Sequence, residues 1–95
     1  MRQIRIAAAQ FEHKNADPEY NLSRIYKLTA AAVEQDAEIV SFHECSLHGY
    51  SFTQTFGKEQ LLDLAEPLDD SASLKSLIDI SREFDRPITA GLFER

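Results

Sequence analysis

An α/β unit built on a parallel sheet is the fold class the sequence predicts, and three observations predict it. A stretch opening on β-branched residues, Ile4-Arg5-Ile6-Ala7-Ala8-Ala9, precedes a long segment of helical periodicity. A second β-branched stretch, Glu38-Ile39-Val40-Ser41-Phe42, follows that segment directly, and a third, Ile88-Thr89-Ala90-Gly91-Leu92-Phe93, follows two more helical segments. A strand, a helix of roughly 17 residues and a strand make the βαβ unit, whose crossover is nearly always right-handed between parallel neighbours.

Each element has its own local reason. The first stretch carries little charge and is closed by Gln10, which suits a strand buried on at least one face, although its three alanines could equally serve a helix. Asp17-Pro18-Glu19 then supplies a helix start: an N-cap acceptor, a proline at the first helical position and an acid in the first turn. Leu22, Ile25, Leu28, Thr29, Ala32 and Val33 recur at helical spacing, with Lys27, Glu34 and Gln35 off that stripe, and the helix should end near Asp36. The second strand, over 38–43, is too short and too β-branched for a helix. His43 to Phe52, rich in polar, aromatic and glycine residues, reads as a loop leaving its carboxyl end. Lys58 to Glu66 looks like a short helix stopped by Pro67. Asp70-Ser71 can cap a further helix with the stripe Leu74, Leu77, Ile78, Ser81 and Phe84, which Arg86-Pro87 ends before the third strand over 87–93. The order is β-α-β-α-α-β with no repeat, low-complexity tract or linker, so residues 1–95 read as one unit.

Composition narrows the function. Sixteen acidic against ten basic residues leave a net charge of −6, which argues against nucleic acid or an anionic membrane as the partner, since both demand a basic face. Cys45 is the single cysteine, so no disulfide can form within the chain and a reducing compartment is expected. Neither a signal-like apolar run nor a membrane-length segment occurs, and a cytoplasmic location follows by default. The three histidines show no metal-ligand spacing, so no metal is expected.

Ligands of open α/β sheets bind outside the carboxyl ends of the strands, and the second strand runs out into Glu44. A carboxylate held there beside Phe42 and Tyr50 would be partly desolvated, which raises its pKa toward a value useful for proton transfer. A glutamate that caps a loop or pairs with a lysine is the plainer alternative.

The segment Ile39-Val40-Ser41-Phe42-His43-Glu44-Cys45-Ser46-Leu47-His48-Gly49-Tyr50 resembles the part of the nitrilase superfamily in which an apolar strand ends in a proline–glutamate pair and a threonine–glycine–tyrosine turn. Ile6-Ala7-Ala8-Ala9-Gln10 is similar to that family's first strand, Asn21-Leu22 to a pair common in its first helix, and Pro87 to Arg95 to the strand ending in Gly-x-x-Glu-Arg. The resemblance spans the whole chain, and the conjunction of blocks is more specific than any one of them. Two departures stand out: His43 occupies the proline position, and Leu47-His48 replaces the usual Leu-Thr.

The resemblance implies the N-terminal portion of a carbon–nitrogen hydrolase with an α-β-β-α sandwich fold and a glutamate–lysine–cysteine triad. It implies a small-molecule amide or nitrile substrate and no cofactor. Only the glutamate maps onto this chain, as Glu44. The lysine and the cysteine nucleophile fall outside it, so the 95-residue chain alone is expected to be inactive. Cys45 is not that nucleophile: successive strand residues point to opposite faces, and a lone cysteine after a strand is more often a packing residue. His43 is expected to pack opposite Glu44, and His13 to sit in a polar loop. His48 could reach a substrate pocket, but a solvated loop histidine is the expectation; Tyr50 either lines the pocket mouth or packs. Nitriles, primary amides, N-carbamoyl compounds and acyl donors remain open as substrates. An alternative from another class is a non-catalytic α/β assembly or binding module that uses its exposed sheet. In either case three strands and their helices leave one sheet face uncovered, so a homo-oligomer is expected.

Overall fold

The computed structural model describes residues 3–43, 46–48 and 57–91. Among them the elements follow in the order β1 (Ile6–Ala9), α1 (Pro18–Glu34), β2 (Ile39–Phe42), α2 (Lys58–Leu64), a 3₁₀ turn (Leu68–Asp70), α3 (Ala72–Phe84) and β3 (Ile88–Thr89). The fold is mixed α/β with a small three-stranded sheet in the order β1-β2-β3, both pairings parallel. Ile6 lies opposite Ile39 and Ala9 opposite Phe42, while Val40 lies opposite Ile88.

The helix ends obey local rules. The Asp17 side chain accepts the Tyr20 N–H at 3.1 Å and Pro18 stands at the first turn, so α1 begins where an orphan donor finds an acceptor. Asp36, at φ 64°, turns the chain left-handed and lets the Ala37 N–H reach the Ala32 carbonyl. Ser71 caps α3 by accepting the Leu74 N–H at 3.0 Å, and Asp85, at φ 51°, ends that helix as Asp36 ends α1.

One face of the sheet is covered. Val40 and Phe42 point into a core completed by Ile25 of α1, Ile80 of α3 and Leu47, with Ala7, Ala9, Leu22, Leu28, Leu77 and Phe84 packed around them. Tyr26 and Phe84 join the two helices, ring centroids 5.3 Å apart, and the Tyr26 hydroxyl hydrogen-bonds Glu83. The other face carries Ile4, Ile6 at 63% exposure and the bonded pair of Thr89 and Ser41. No helix of the described residues is long and apolar enough to cross a membrane.

The predicted α3 stripe needs correction. Leu77 and Phe84 do pack on the core, but the buried residues of α3 are Ser73 and Ile80, and Ile78 is 41% exposed. Residues 73, 77, 80 and 84 form one inward stripe at helical spacing. Residues 74, 78 and 81 form the next, turned by about one residue, or 100°, around the axis. With Leu77, Arg82, Ile88 and Ala90, that second stripe lines a largely apolar groove of about 360 Å³ beside β3.

Candidate functional site

Strand β2 stops at Phe42, at the carboxyl edge of the sheet. In sequence Glu44 and Cys45 follow almost at once and Tyr50 a little later; all three lie outside the described residues. Their described flanks are His43 on one side and the turn of Ser46, Leu47 and His48 on the other.

That turn is buried throughout. The Leu47 N–H donates to the Gly91 carbonyl just beyond β3 at 3.1 Å, and the Ala16 N–H donates to the His48 carbonyl at 2.8 Å. Asn21 in the first turn of α1 donates from Nδ2 to the Leu47 carbonyl at 2.8 Å. The same amide is braced by the Lys14 backbone, donating to its carbonyl and accepting its N–H, each at 2.8 Å. A fully buried amide is tolerated because its oxygen and nitrogen both have partners. The fourth anchor is a side-chain pair: His48 Nε2 lies 2.9 Å from Glu66 Oε2.

Glu66 is itself a hub between α2 and α3. It accepts the Ser71 hydroxyl at 2.7 Å, the Ser73 hydroxyl at 2.6 Å and the Ser73 N–H at 3.2 Å. Burial alone would raise its carboxyl, but the hydrogen bonds from Ser73, Ser71 and His48 together outweigh that and hold it below the ordinary glutamate value. The expected solvated His48 is thus overturned: the ring is 1% exposed, because this acceptor and the pinned turn draw it inward. Neither the 18-residue separation of His48 from Glu66 nor the two serines marks such a network in sequence. The one available signal was Pro67, which disfavours helix at Glu66 and so frees its side chain from the end of α2.

The other flank gathers residues the sequence left apart. His43 packs against Phe11, centroids 4.9 Å apart and edge-on, and against His13 at 5.5 Å. Phe11 in turn meets Phe42 edge-on, which links this cluster to the core. Gln10, Phe11, Glu12, His13 and His43 line a cavity of about 460 Å³ at the carboxyl ends of β1 and β2. Burial, and then the charge of His13, lower the His43 pKa below its ordinary value, so the neutral imidazole is favoured. Both His43 ring nitrogens are buried without a hydrogen-bond partner. Among the described residues no group of three or more His, Cys, Asp or Glu side chains could hold a metal ion.

The carbon–nitrogen hydrolase family model matches residues 5–95. A nitrilase from Pyrococcus abyssi (strain GE5 / Orsay) is 26% identical over 92 residues, covering 97% of this chain and 34% of that protein. The chain therefore spans about a third of that relative's length. Because the family match runs from β1 through β3 and takes in both flanks of Glu44, the chain belongs to the carbon–nitrogen hydrolase family, within the nitrilase superfamily.

Proposed function

We propose that residues 1–95 form the N-terminal part of an amidase- or nitrilase-type hydrolase domain that cleaves a non-peptide carbon–nitrogen bond of a small molecule, with Glu44 as its general base. What carries the reading is the family match over residues 5–95, in which Glu44 comes, in sequence, two residues after the end of β2, the central strand of a parallel sheet. In the mechanism that the resemblance implies, Glu44 takes the proton of a cysteine thiol supplied by another part of the protein. The thiolate attacks the amide or nitrile carbon and forms a covalent intermediate. A lysine, also supplied elsewhere, stabilises the developing negative charge. With an amide, Glu44 then returns a proton to the departing amine and water hydrolyses the resulting thioester; with a nitrile, water first adds to the thioimidate, ammonia leaves, and a second water cleaves the thioester. In this reading Tyr50 either lines the mouth of the pocket or packs, and neither a metal nor a cofactor takes part.

The sheet face bearing Ile4 and Ile6 suits an α-β-β-α sandwich, in which a second sheet covers it. Among the described residues Ile4 and Ile6 stay exposed on that face, and this observation also supports the second reading, a non-catalytic assembly module that self-associates through the sheet.

The test is hydrolysis of amides and nitriles by a protein that joins this segment to its lysine and cysteine partners. Glu44→Gln should lower turnover there by about 10²–10⁴-fold, the usual contribution of a positioned acid–base group. The 95-residue chain alone should show no turnover. Hydrolysis by the isolated chain that persists in Glu44→Gln would overturn the assignment.

A further inference from the structure

We infer that Glu66 is a positioning residue for Glu44, acting through His48 on the buried turn 46–48. The inference rests on the reading of Glu44 as the base and adds the device that holds it in place.

Three observations carry it. First, the turn begins two residues after Glu44 in sequence, and each trans peptide step spans only about 3.8 Å, so the turn limits how far Glu44 can stray. Second, the anchors on the turn come from the β1–α1 loop, from α1, from beyond β3 and from the α2–α3 connection, so it is fixed from every side the described chain offers. Third, Glu66 meets His48 in a shielded setting: the ring is 1% exposed and the carboxylate 19%, so water competes little for the pair and its geometry is held. Glu66 also binds both serines at the start of α3, so the position of that helix is transmitted through His48 to the turn. Misplacing a catalytic group by about 1 Å can cost on the order of 10²-fold in rate.

The experiment uses the enzyme that unites this segment with its lysine and cysteine. In Glu66→Gln and in His48→Ala, kcat should fall by roughly 10–100-fold with KM within about 3-fold. The acidic limb of the kcat/KM–pH profile, which reports the base, should move by about half a unit or more in both. His48→Gln, which keeps a side-chain N–H for Glu66, should recover part of the rate. Wild-type kcat and an unmoved limb in both variants would overturn the proposal, as would a His48→Gln no better than His48→Ala. A Glu44→Gln enzyme that stays active sinks the base assignment itself. An inactive Glu44→Gln beside fully active Glu66 and His48 variants sinks only the positioning role. For variants that fold too poorly to assay, wild-type hydrogen exchange decides. The Leu47 amide should exchange as slowly as the Val40 amide in β2, and exchange at loop rates would overturn the proposal, because an open turn positions nothing.

Discussion

The buried turn that follows β2 in sequence and the groove beside β3 belong to one small fold, and they are built in opposite ways. The turn is closed, with the Leu47 and His48 carbonyls and the Leu47 N–H bonded to distant parts of the chain, and with the buried Asn21 and the partly exposed Glu66 as brackets. The groove is apolar and open, with Ile78 and the edge strand β3 on its rim. The contrast separates two kinds of order. In the turn, hydrogen-bond geometry dictates one arrangement; in the groove, side chains merely share a face, and their burial depends on whatever packs there.

Substitutions should reveal that difference. The largest effect is expected at Asn21. Asn21→Ala leaves the Lys14 N–H and two carbonyls without their partner in a buried site, and should lower stability by about 3 kcal/mol. The chemical-denaturation midpoint measures it, and a loss under about 1 kcal/mol would mean that water replaces the amide and the turn is not closed.

A pair of alanine substitutions on α3 comes next. Ile80→Ala should cost about 2–4 kcal/mol, because the vacated volume sits in the core against Val40 and Phe42. Ile78→Ala, on the groove, should change stability by about 0.5 kcal/mol or less in the monomer. Equal losses would show that the groove is packed in solution, and loss of self-association in Ile78→Ala would identify the packing as a second copy.

The smallest effect is graded with pH. His43 is held below its ordinary 6.5, so the folded state resists the proton that the unfolded chain accepts. The stability this brings is full above 6.5 and is lost as pH falls through the folded value. Glu66 is held below 4.5, so its contribution is full above 4.5 and is lost only on further acidification through its own folded value. Urea midpoints should therefore fall in two stages from pH 7.5 downward, with Glu66→Gln removing the second stage alone. A midpoint independent of pH between 7 and 5 would contradict the His43 environment.

Much of this architecture was legible in the sequence, for physical reasons that can be named. The α1 boundaries were readable because capping is local: Asp17, Pro18 and the left-handed Asp36 act within four residues of the ends they define. The parallel pairing of β1 with β2 followed from the βαβ rule, which rests on chirality rather than on particular contacts, whereas the rule leaves open on which side β3 adds. The α3 stripe was misread because its inward face includes Ser73, a polar residue buried by its bonds to Glu66, while apolar Leu74 and Ile78 lie on the neighbouring stripe. Periodicity detects apolar side chains and cannot weigh a buried hydroxyl against an open isoleucine. His48, and the meeting of His13 with His43, were hidden for a related reason: they depend on long-range contacts that no local pattern records.

The four anchors of the turn also set the order of events in synthesis and folding. Residues 46–48 are tied to positions 16, 21, 66 and 91, so their bonds close loops of roughly 18 to 44 residues in both directions along the chain. A nascent chain whose ribosome has not yet released Gly91 can form α1 and pair β1 with β2, but it has no acceptor for the Leu47 amide. The surroundings of Glu44 are thus among the last parts of this segment to mature. Peptides that end before β3 would keep the partners for three of the turn's anchors and lack the fourth, the Gly91 carbonyl that accepts the Leu47 N–H.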